Sequence, residues 1–186
     1  MLKVNLKSSD NYIGADFDKL NRSLALLETA INSDSFRITV LNFQSFEFVR
    51  YKCVGSIQLR TVHLTEYSND NLYSFLMKGH RQEGDDSFMD LQLKLSDDGG
   101  GSAIGETDGD DVTTTYRAAF NGMAEGELAA HYTHEWTHTM GFEHSFSNKC
   151  DSKRDCLSVP YAIGNIIEII LTGKCWYGCR YKTLNE

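Results

Sequence analysis

The sequence predicts an α+β domain, with helices and strands segregated along the chain rather than alternating regularly. Three observations predict it: an amphipathic helix near the N-terminus, several short segments with strand alternation in the middle, and two helical segments closed by glycine near the end. At 186 residues the chain suits a single domain, residues 1–186, that is long enough to bury a core.

The first half of the chain holds one predicted helix and four predicted strands. Apolar residues recur at helical spacing over residues 17–31, which predicts an amphipathic helix. Residues 36–43 alternate apolar and polar side chains, which predicts a strand. The same pattern predicts strands over residues 46–54, 57–64 and 88–95, and the alternation is strict in the last of these.

An acidic, glycine-rich region follows. Residues 97–101 form a predicted turn, and residues 102–106 and 112–120 are predicted strands on either side of an acidic loop. Aspartates on a bendable backbone offer hard oxygen ligands, so a Ca²⁺ site is one interpretation, although no spacing matches an EF-hand. A solvated surface is the other interpretation. The acidic residues concerned are Asp85, Asp86, Asp97, Asp98, Asp108, Asp110 and Asp111.

Two predicted helices end the chain. Residues 124–140 favour a helix, and Gly141 is suited to end it because glycine tolerates a positive φ. A last helix is predicted over residues 161–171, closed by Gly173. Pro160 stands at its start, where proline is best tolerated.

Charge and hydropathy exclude two classes of partner. The net charge is −8, whereas binding to nucleic-acid phosphates needs clustered Lys and Arg, so no nucleic-acid partner is expected. No stretch approaches the roughly 18 apolar residues of a membrane span. A soluble monomer is therefore expected.

The five cysteines favour an oxidising compartment. Cys150 and Cys156 bracket one short loop, and Cys175 and Cys179 bracket another, so two local disulfides are predicted with Cys53 left over. That pairing predicts a secreted, periplasmic or other extracellular protein. The first residues lack the apolar run of an export signal, so a cytoplasmic protein with reduced cysteines stays an alternative to a mature exported domain. A second zinc site at the cysteine pairs is the other alternative, although neither pair has the C-x₂-C spacing of zinc knuckles.

The segment HEWTHTMGFEH, residues 134–144, contains the candidate metal ligands and the candidate general base. On a helix, His134 and His138 lie one turn apart on the same face, so both can bind one metal ion. Gly141 can bend the chain so that His144 supplies a third ligand. Three neutral nitrogens leave an open position on Zn²⁺, as catalytic sites do. Glu135, beside the first ligand, is the candidate general base.

His131 lies on the same helix face and is a further candidate ligand, in place of His144. A straight helix spreads the nitrogens of residues 131, 134 and 138 over about 10 Å, too far for one ion with bonds near 2 Å. His131 is therefore predicted to be a neighbour on the cleft wall or a surface histidine. A second alternative replaces His144 by Glu168 as the third ligand.

These residues resemble the metzincin zinc peptidases, whose signature H-E-x-x-H-x-x-G-x-x-H is matched at every defined position. The resemblance implies a mixed twisted sheet, an active-site helix, a C-terminal helix and a peptide or protein substrate. It implies that an edge strand forms one wall of the cleft, for which residues 101–105 and 112–120 are the candidates. The function it implies is zinc endopeptidase activity. Alternatives are a zinc hydrolase of a non-protein amide and an inactive zinc-binding homologue.

One departure from the family concerns a turn that carries methionine downstream of the third histidine. No methionine follows Met140, and Ser158-Val159-Pro160-Tyr161 resembles that turn with the methionine lost. Val159 or Pro160 is expected to supply an apolar side chain beneath the metal position in place of that methionine. Tyr161 is expected to be a core tyrosine that opens the last helix, with oxyanion stabilisation or metal binding as the alternative.

Overall fold

The described part of the chain forms a four-stranded mixed sheet with helices, and a separate two-stranded hairpin. The computed structural model describes residues 1–43, 46, 49–54, 57–63, 68–79, 87–99, 103–108, 111–144 and 157–174. The elements, in chain order, are β1 (Lys3–Asp10), α1 (Ala15–Ile31), α2 (Asp34–Leu41), β2 (Val49–Val54), β3 (Ile57–His63), α3 (Asn69–Met77), β4 (Phe88–Ser96), β5 (Gly105–Thr107), β6 (Val112–Tyr116), α4 (Arg117–Gly122), α5 (Glu125–Thr139) and α6 (Val159–Thr172).

The sheet has the order β1-β4-β6-β5. β1 and β6 both run parallel to β4, whereas β5 pairs antiparallel with β6 at the edge of the sheet. β2 and β3 pair antiparallel with each other in the hairpin. This arrangement confirms the α+β class. The edge strand β5 shares only Gly105 with the candidate segment 101–105, whereas β6, in the candidate segment 112–120, is an inner strand.

The strict alternation predicted for β4 is confirmed by burial. Met89, Leu91, Leu93 and Leu95 are all buried, whereas Phe88 keeps 41% of its surface exposed. A strand in the middle of a sheet buries one face when helices cover that face, since successive side chains point to opposite sides. The four buried residues belong to the same apolar core as buried residues of α1, α5 and α6.

The three predicted helices are confirmed as α1, α5 and α6. α5 ends before Gly141, which has a φ of 85°, and α6 ends at Gly173, which has a φ of 70°. Both glycines occupy the left-handed region that other residues rarely adopt. Pro160 lies in the first turn of α6, as predicted.

The strand predicted over residues 36–43 is wrong, because this segment is helix α2. Ser33 caps the helix by accepting a hydrogen bond from the main-chain nitrogen of Phe36 at 3.1 Å. Phe36 and Val40 are both buried and lie one helical turn apart, while Ile38 between them is 46% exposed. Residues at i and i+4 fit a helix face as well as a strand face, so the tertiary contacts decided between them.

The two strands predicted on either side of the acidic loop have other bounds in the structure. The strand predicted over residues 112–120 ends at Tyr116, and helix α4 follows it and buries Phe120. The preceding strand is three residues long, at Gly105–Thr107. β1, α3 and α4 were not predicted, although Val4 and Leu6 of β1, with Leu2 before it, alternate with polar residues.

Several predictions fall outside the described residues. Cys150, Cys156, Cys175 and Cys179 lie there, and Cys53 belongs to a strand whose side chains are not described, so the disulfides and the compartment stay predictions. The same holds for Ca²⁺, since residues 85–86 and 109–110 are not described. Among the described helices, none is long and apolar enough to cross a membrane.

Candidate metal centre

Three histidines converge at the C-terminal end of α5. His134, His138 and His144 each offer a ring nitrogen, and these nitrogens all lie within 4.8 Å of one another. The Nε2 atoms of His138 and His144 are 3.2 Å apart. A tetrahedral ion with metal–nitrogen bonds of about 2.1 Å holds its nitrogens about 3.4 Å apart, so this pair already has the required separation. The group can hold one metal ion.

The backbone brings the three rings together as the spacing predicted. His134 and His138 stand one turn apart on α5, near its end. The positive φ of Gly141 turns the chain out of the helix, and His144 follows three residues later. The rings of His134 and His144 then have centroids 5.0 Å apart.

Neighbouring polar atoms orient the rings. The Nδ1 of His138 is 2.7 Å from the main-chain oxygen of Phe142, which can only accept, so the ring donates there and presents a bare Nε2. The Ser158 hydroxyl lies 3.5 Å from Nδ1 of His144. Partners of this kind select the tautomer that ligates a metal.

Burial keeps two of these rings neutral. It lowers the pKa of His134 well below the usual value, and the neighbouring His138 and His144 lower it further. Burial also lowers the pKa of His138, although the bond to Phe142 opposes this. A neutral imidazole is the form that ligates a metal, so both rings are ready to bind at neutral pH.

Glu135 is buried beside the histidine group without belonging to it. Burial raises the pKa of its carboxyl to about 7, and the charges of Glu106 and Glu143 add to this. The hydroxyl of Thr107 opposes the shift by donating to Oε2 at 2.8 Å. A carboxyl that titrates near neutral pH can accept and release a proton under working conditions.

His131 lies behind Glu135 and is not part of the histidine group. Its side chain is buried, so the surface position that the sequence allowed is wrong. Its Nδ1 lies 3.7 Å from Oε1 of Glu135, and its Nε2 lies 3.2 Å from the hydroxyl of Thr115. Burial lowers its pKa to about 4, so the ring is neutral at physiological pH.

The segment that resembles the methionine turn packs against two of the histidines. Val159 and Pro160 are buried, which agrees with the expected apolar residues at this place. The ring of Tyr161 is only half-buried, and its centroid lies 4.4 Å from that of His144 and 4.7 Å from that of His134. This position favours the interpretation of Tyr161 as a residue of the site over that of a core tyrosine.

Glu168, the alternative third ligand, is buried within α6 and is not part of the group that can share one ion. Among the described residues, His144 therefore holds the third position.

Gly164 sets the distance between α6 and the first ligand. A Cβ at this position would lie 3.1 Å from Cβ of His134 and 3.2 Å from the main-chain oxygen of Ala130. We expect Gly164→Ala to lower the free energy of unfolding by about 1–3 kcal/mol and to weaken metal binding, because α6 must shift away from His134. Thermal unfolding and metal titration measure the two effects. Gly122→Ala is the matched control, since nothing lies within 4 Å of a Cβ there; equal behaviour of the two variants would contradict the role of Gly164.

Two contributions to the site have no signal in the sequence. Thr107 lies 28 residues before Glu135 on a short edge strand, and Gly164 lies 30 residues after His134 on another helix. Only the packing of β5 and α6 against α5 brings them to the site. The residues of the motif itself, by contrast, are local to one helix and the turn that follows it.

The chain matches no family model, and neither the curated proteins nor the solved structures contain a match to it, so the geometry of the site is what bears on its function.

Proposed function

We propose that this protein is a zinc-dependent endopeptidase. The proposal depends on one observation: a buried carboxylate outside the histidine group, Glu135, directly follows His134 on the helix that also carries His138. A purely structural metal site closes its coordination with four protein ligands and has no use for such a base.

The donor set supports Zn²⁺ in particular. Three imidazoles with no carboxylate ligand among them suit a borderline-soft ion, and three protein ligands leave a position open for reaction. Zn²⁺ bound there would act as a Lewis acid, lowering the pKa of water and polarising a carbonyl group.

Glu135 performs the proton transfers. Its carboxylate accepts a proton as water attacks the carbonyl carbon of the scissile bond, and it then delivers this proton to the leaving amine. The raised pKa suits both steps, because a base near neutrality is deprotonated often enough to accept and acidic enough to donate. We propose that Tyr161, whose half-buried ring packs against His134 and His144, assists the developing oxyanion through its hydroxyl.

The arrangement of the sheet supports a metzincin-like catalytic domain. β5 is an antiparallel edge strand, and its last residue, Thr107, contacts Glu135. An edge strand offers unpaired main-chain groups that an extended peptide can bind. We therefore propose that β5 lines the cleft and binds the substrate main chain.

Mapping of cut sites in a peptide library tests the proposal. We expect cleavage within peptides that is abolished by a chelator and restored by adding Zn²⁺. Digestion of casein or gelatin with and without chelator checks that whole proteins are substrates as well.

The rival functions predict other outcomes. A hydrolase of a non-protein amide would bind Zn²⁺ and leave every peptide intact while cleaving small amides. An inactive homologue would bind Zn²⁺ and cleave neither. Cleavage that persists in a chelator would contradict the three-histidine site itself.

A further inference from the structure

The carboxylate of Glu135 is held from two sides by residues that lie outside the histidine motif. Thr107 of β5 contacts one carboxylate oxygen, and His131, one turn earlier on α5, faces the other. Glu135, Thr113, Thr115 and His131 are buried, so water does not replace these contacts readily.

The Thr107 side is a directed hydrogen bond. A hydroxyl has one proton, and the shortest contact of Thr107 Oγ1 is the 2.8 Å contact with Oε2 of Glu135, an acceptor when ionised. Its contact with the hydroxyl of Thr113, at 3.1 Å, is then one in which Thr113 donates. The same Oγ1 lies 3.4 Å from the main-chain oxygen of Glu135. Thr107 is thus committed to the carboxylate.

The His131 side is a row of polar groups that ends at Oε1. The hydroxyl of Thr115 lies 3.2 Å from Nε2 of His131. When Thr115 donates to Nε2, the proton of the neutral ring is on Nδ1 and points toward Oε1 of Glu135. The Nδ1 and Oε1 atoms are 3.7 Å apart. This distance is too long for a hydrogen bond, so the contact is an electrostatic one.

Gly105 makes room for His131 under the edge strand. A Cβ on Gly105 would lie 2.9 Å from both Cε1 and Nε2 of the His131 ring. β5 therefore approaches the ring closely at one end and contacts Glu135 through Thr107 at the other. The strand and the ring therefore contact the carboxylate from two sides.

We infer that Thr107 and His131 are positioning residues, which hold the carboxylate of Glu135 in the one orientation that faces the attacking water. The inference rests on the proposed function, because it assigns a role to residues that support its general base. Neither residue contacts the metal position, so their removal changes the rate of reaction without removing the ion. A reacting group misplaced by about 1 Å costs about a hundredfold in rate.

The decisive pair of variants is Thr107→Val and Thr107→Ser. Valine keeps the shape of threonine and loses the hydroxyl, whereas serine keeps the hydroxyl. We expect Thr107→Val to lower kcat by about ten- to a hundredfold with KM and bound zinc unchanged, and Thr107→Ser to retain most of the activity. A loss of bound zinc in proportion to the loss of activity, or a rise in KM with kcat unchanged, would overturn the inference, since either would mean a merely structural role.

A second pair tests the other side. The side-chain amide nitrogen of Asn is close to the place of the histidine Nδ1, so His131→Asn keeps a donor toward Glu135, and His131→Leu does not. We expect kcat to fall further in His131→Leu than in His131→Asn. Equal kcat values in the two folded variants would overturn the role of His131, and the threonine pair decides the role of Thr107 if the leucine variant does not fold.

Crystal structures of the zinc-loaded variants give a readout that does not depend on activity. We expect the Glu135 carboxylate to rotate or to occupy more than one orientation in Thr107→Val, and to keep its orientation in Thr107→Ser. One unchanged orientation in Thr107→Val would overturn the inference. If the wild type cleaves no peptide, the proposed function fails, and the orientation of the carboxylate in these structures still decides whether Thr107 holds it.

Discussion

Replacing Glu135 by Gln is expected to abolish peptide hydrolysis while the protein keeps about one equivalent of Zn²⁺. Glutamine has nearly the shape of glutamate and can still accept the hydrogen bond of Thr107, but it cannot take a proton from water. Loss of a general base lowers the rate by about a hundredfold to ten thousandfold. Peptide cleavage and metal analysis on the same sample measure the two properties. Full activity of the variant would contradict the assignment of Glu135 as the general base.

The same variant, which loses activity, is expected to gain stability at alkaline pH. Burial raises the pKa of Glu135 from 4.5 to about 7, so the folded metal-free protein binds a proton that the unfolded chain has already released. The free energy of unfolding therefore declines as the pH rises from about 4.5 to about 7, by about 3 kcal/mol from this group.

We expect metal-free Glu135→Gln to be more stable than the metal-free wild type at pH 8, and the difference to vanish near pH 4. Urea unfolding at the two pH values measures it. The two proteins contain the same histidines, so the comparison isolates the carboxyl. A wild type that is the more stable of the two at pH 8 would contradict the burial of an unpaired charge. A buried carboxylate that destabilises the fold is expected where catalysis needs it.

Replacing His144 by Ala is expected to release the metal. Even a partner that only orients a ligand changes metal affinity by about 10–100-fold, so loss of one of three ligands is expected to weaken binding by more than about a hundredfold. Hydrolysis at limiting zinc is lost with it. Titration with a competing chromophoric chelator measures the affinity.

Glu168→Gln is the matched control for that variant. Glu168 is buried on α6 and is the one other residue that the sequence offered as third ligand. We expect its variant to keep zinc affinity within about threefold of the wild type, since it lies outside the histidine group. If His144→Ala retained zinc and Glu168→Gln lost it, Glu168 and not His144 would be the third ligand.

The sequence predicted those parts of the fold whose signal is local. α1, α5 and α6 have long helical periodicity, and Gly141 and Gly173 mark two of their ends, so these elements follow from nearby residues alone. The alternation of β4 is equally local. The pattern of residues 36–43 does not distinguish a strand from a helix, because an apolar residue at every second position also satisfies the i, i+4 spacing of a helix. The burial of Phe36 and Val40 on one helix face decided that case.

For the metal centre, the sequence by itself determined which side chains are available, because His134, Glu135 and His138 are neighbours on one helix and Gly141 permits the turn toward His144. The tertiary structure decided how they are held. The hydroxyl of Thr107, the buried ring of His131 and the close approach allowed by Gly164 depend on β5 and α6 packing against α5, and no pattern along the chain specifies that packing. The physical reason is that ligand spacing is a property of one helix, whereas the burial and hydrogen bonding that tune Glu135 are properties of three elements in contact.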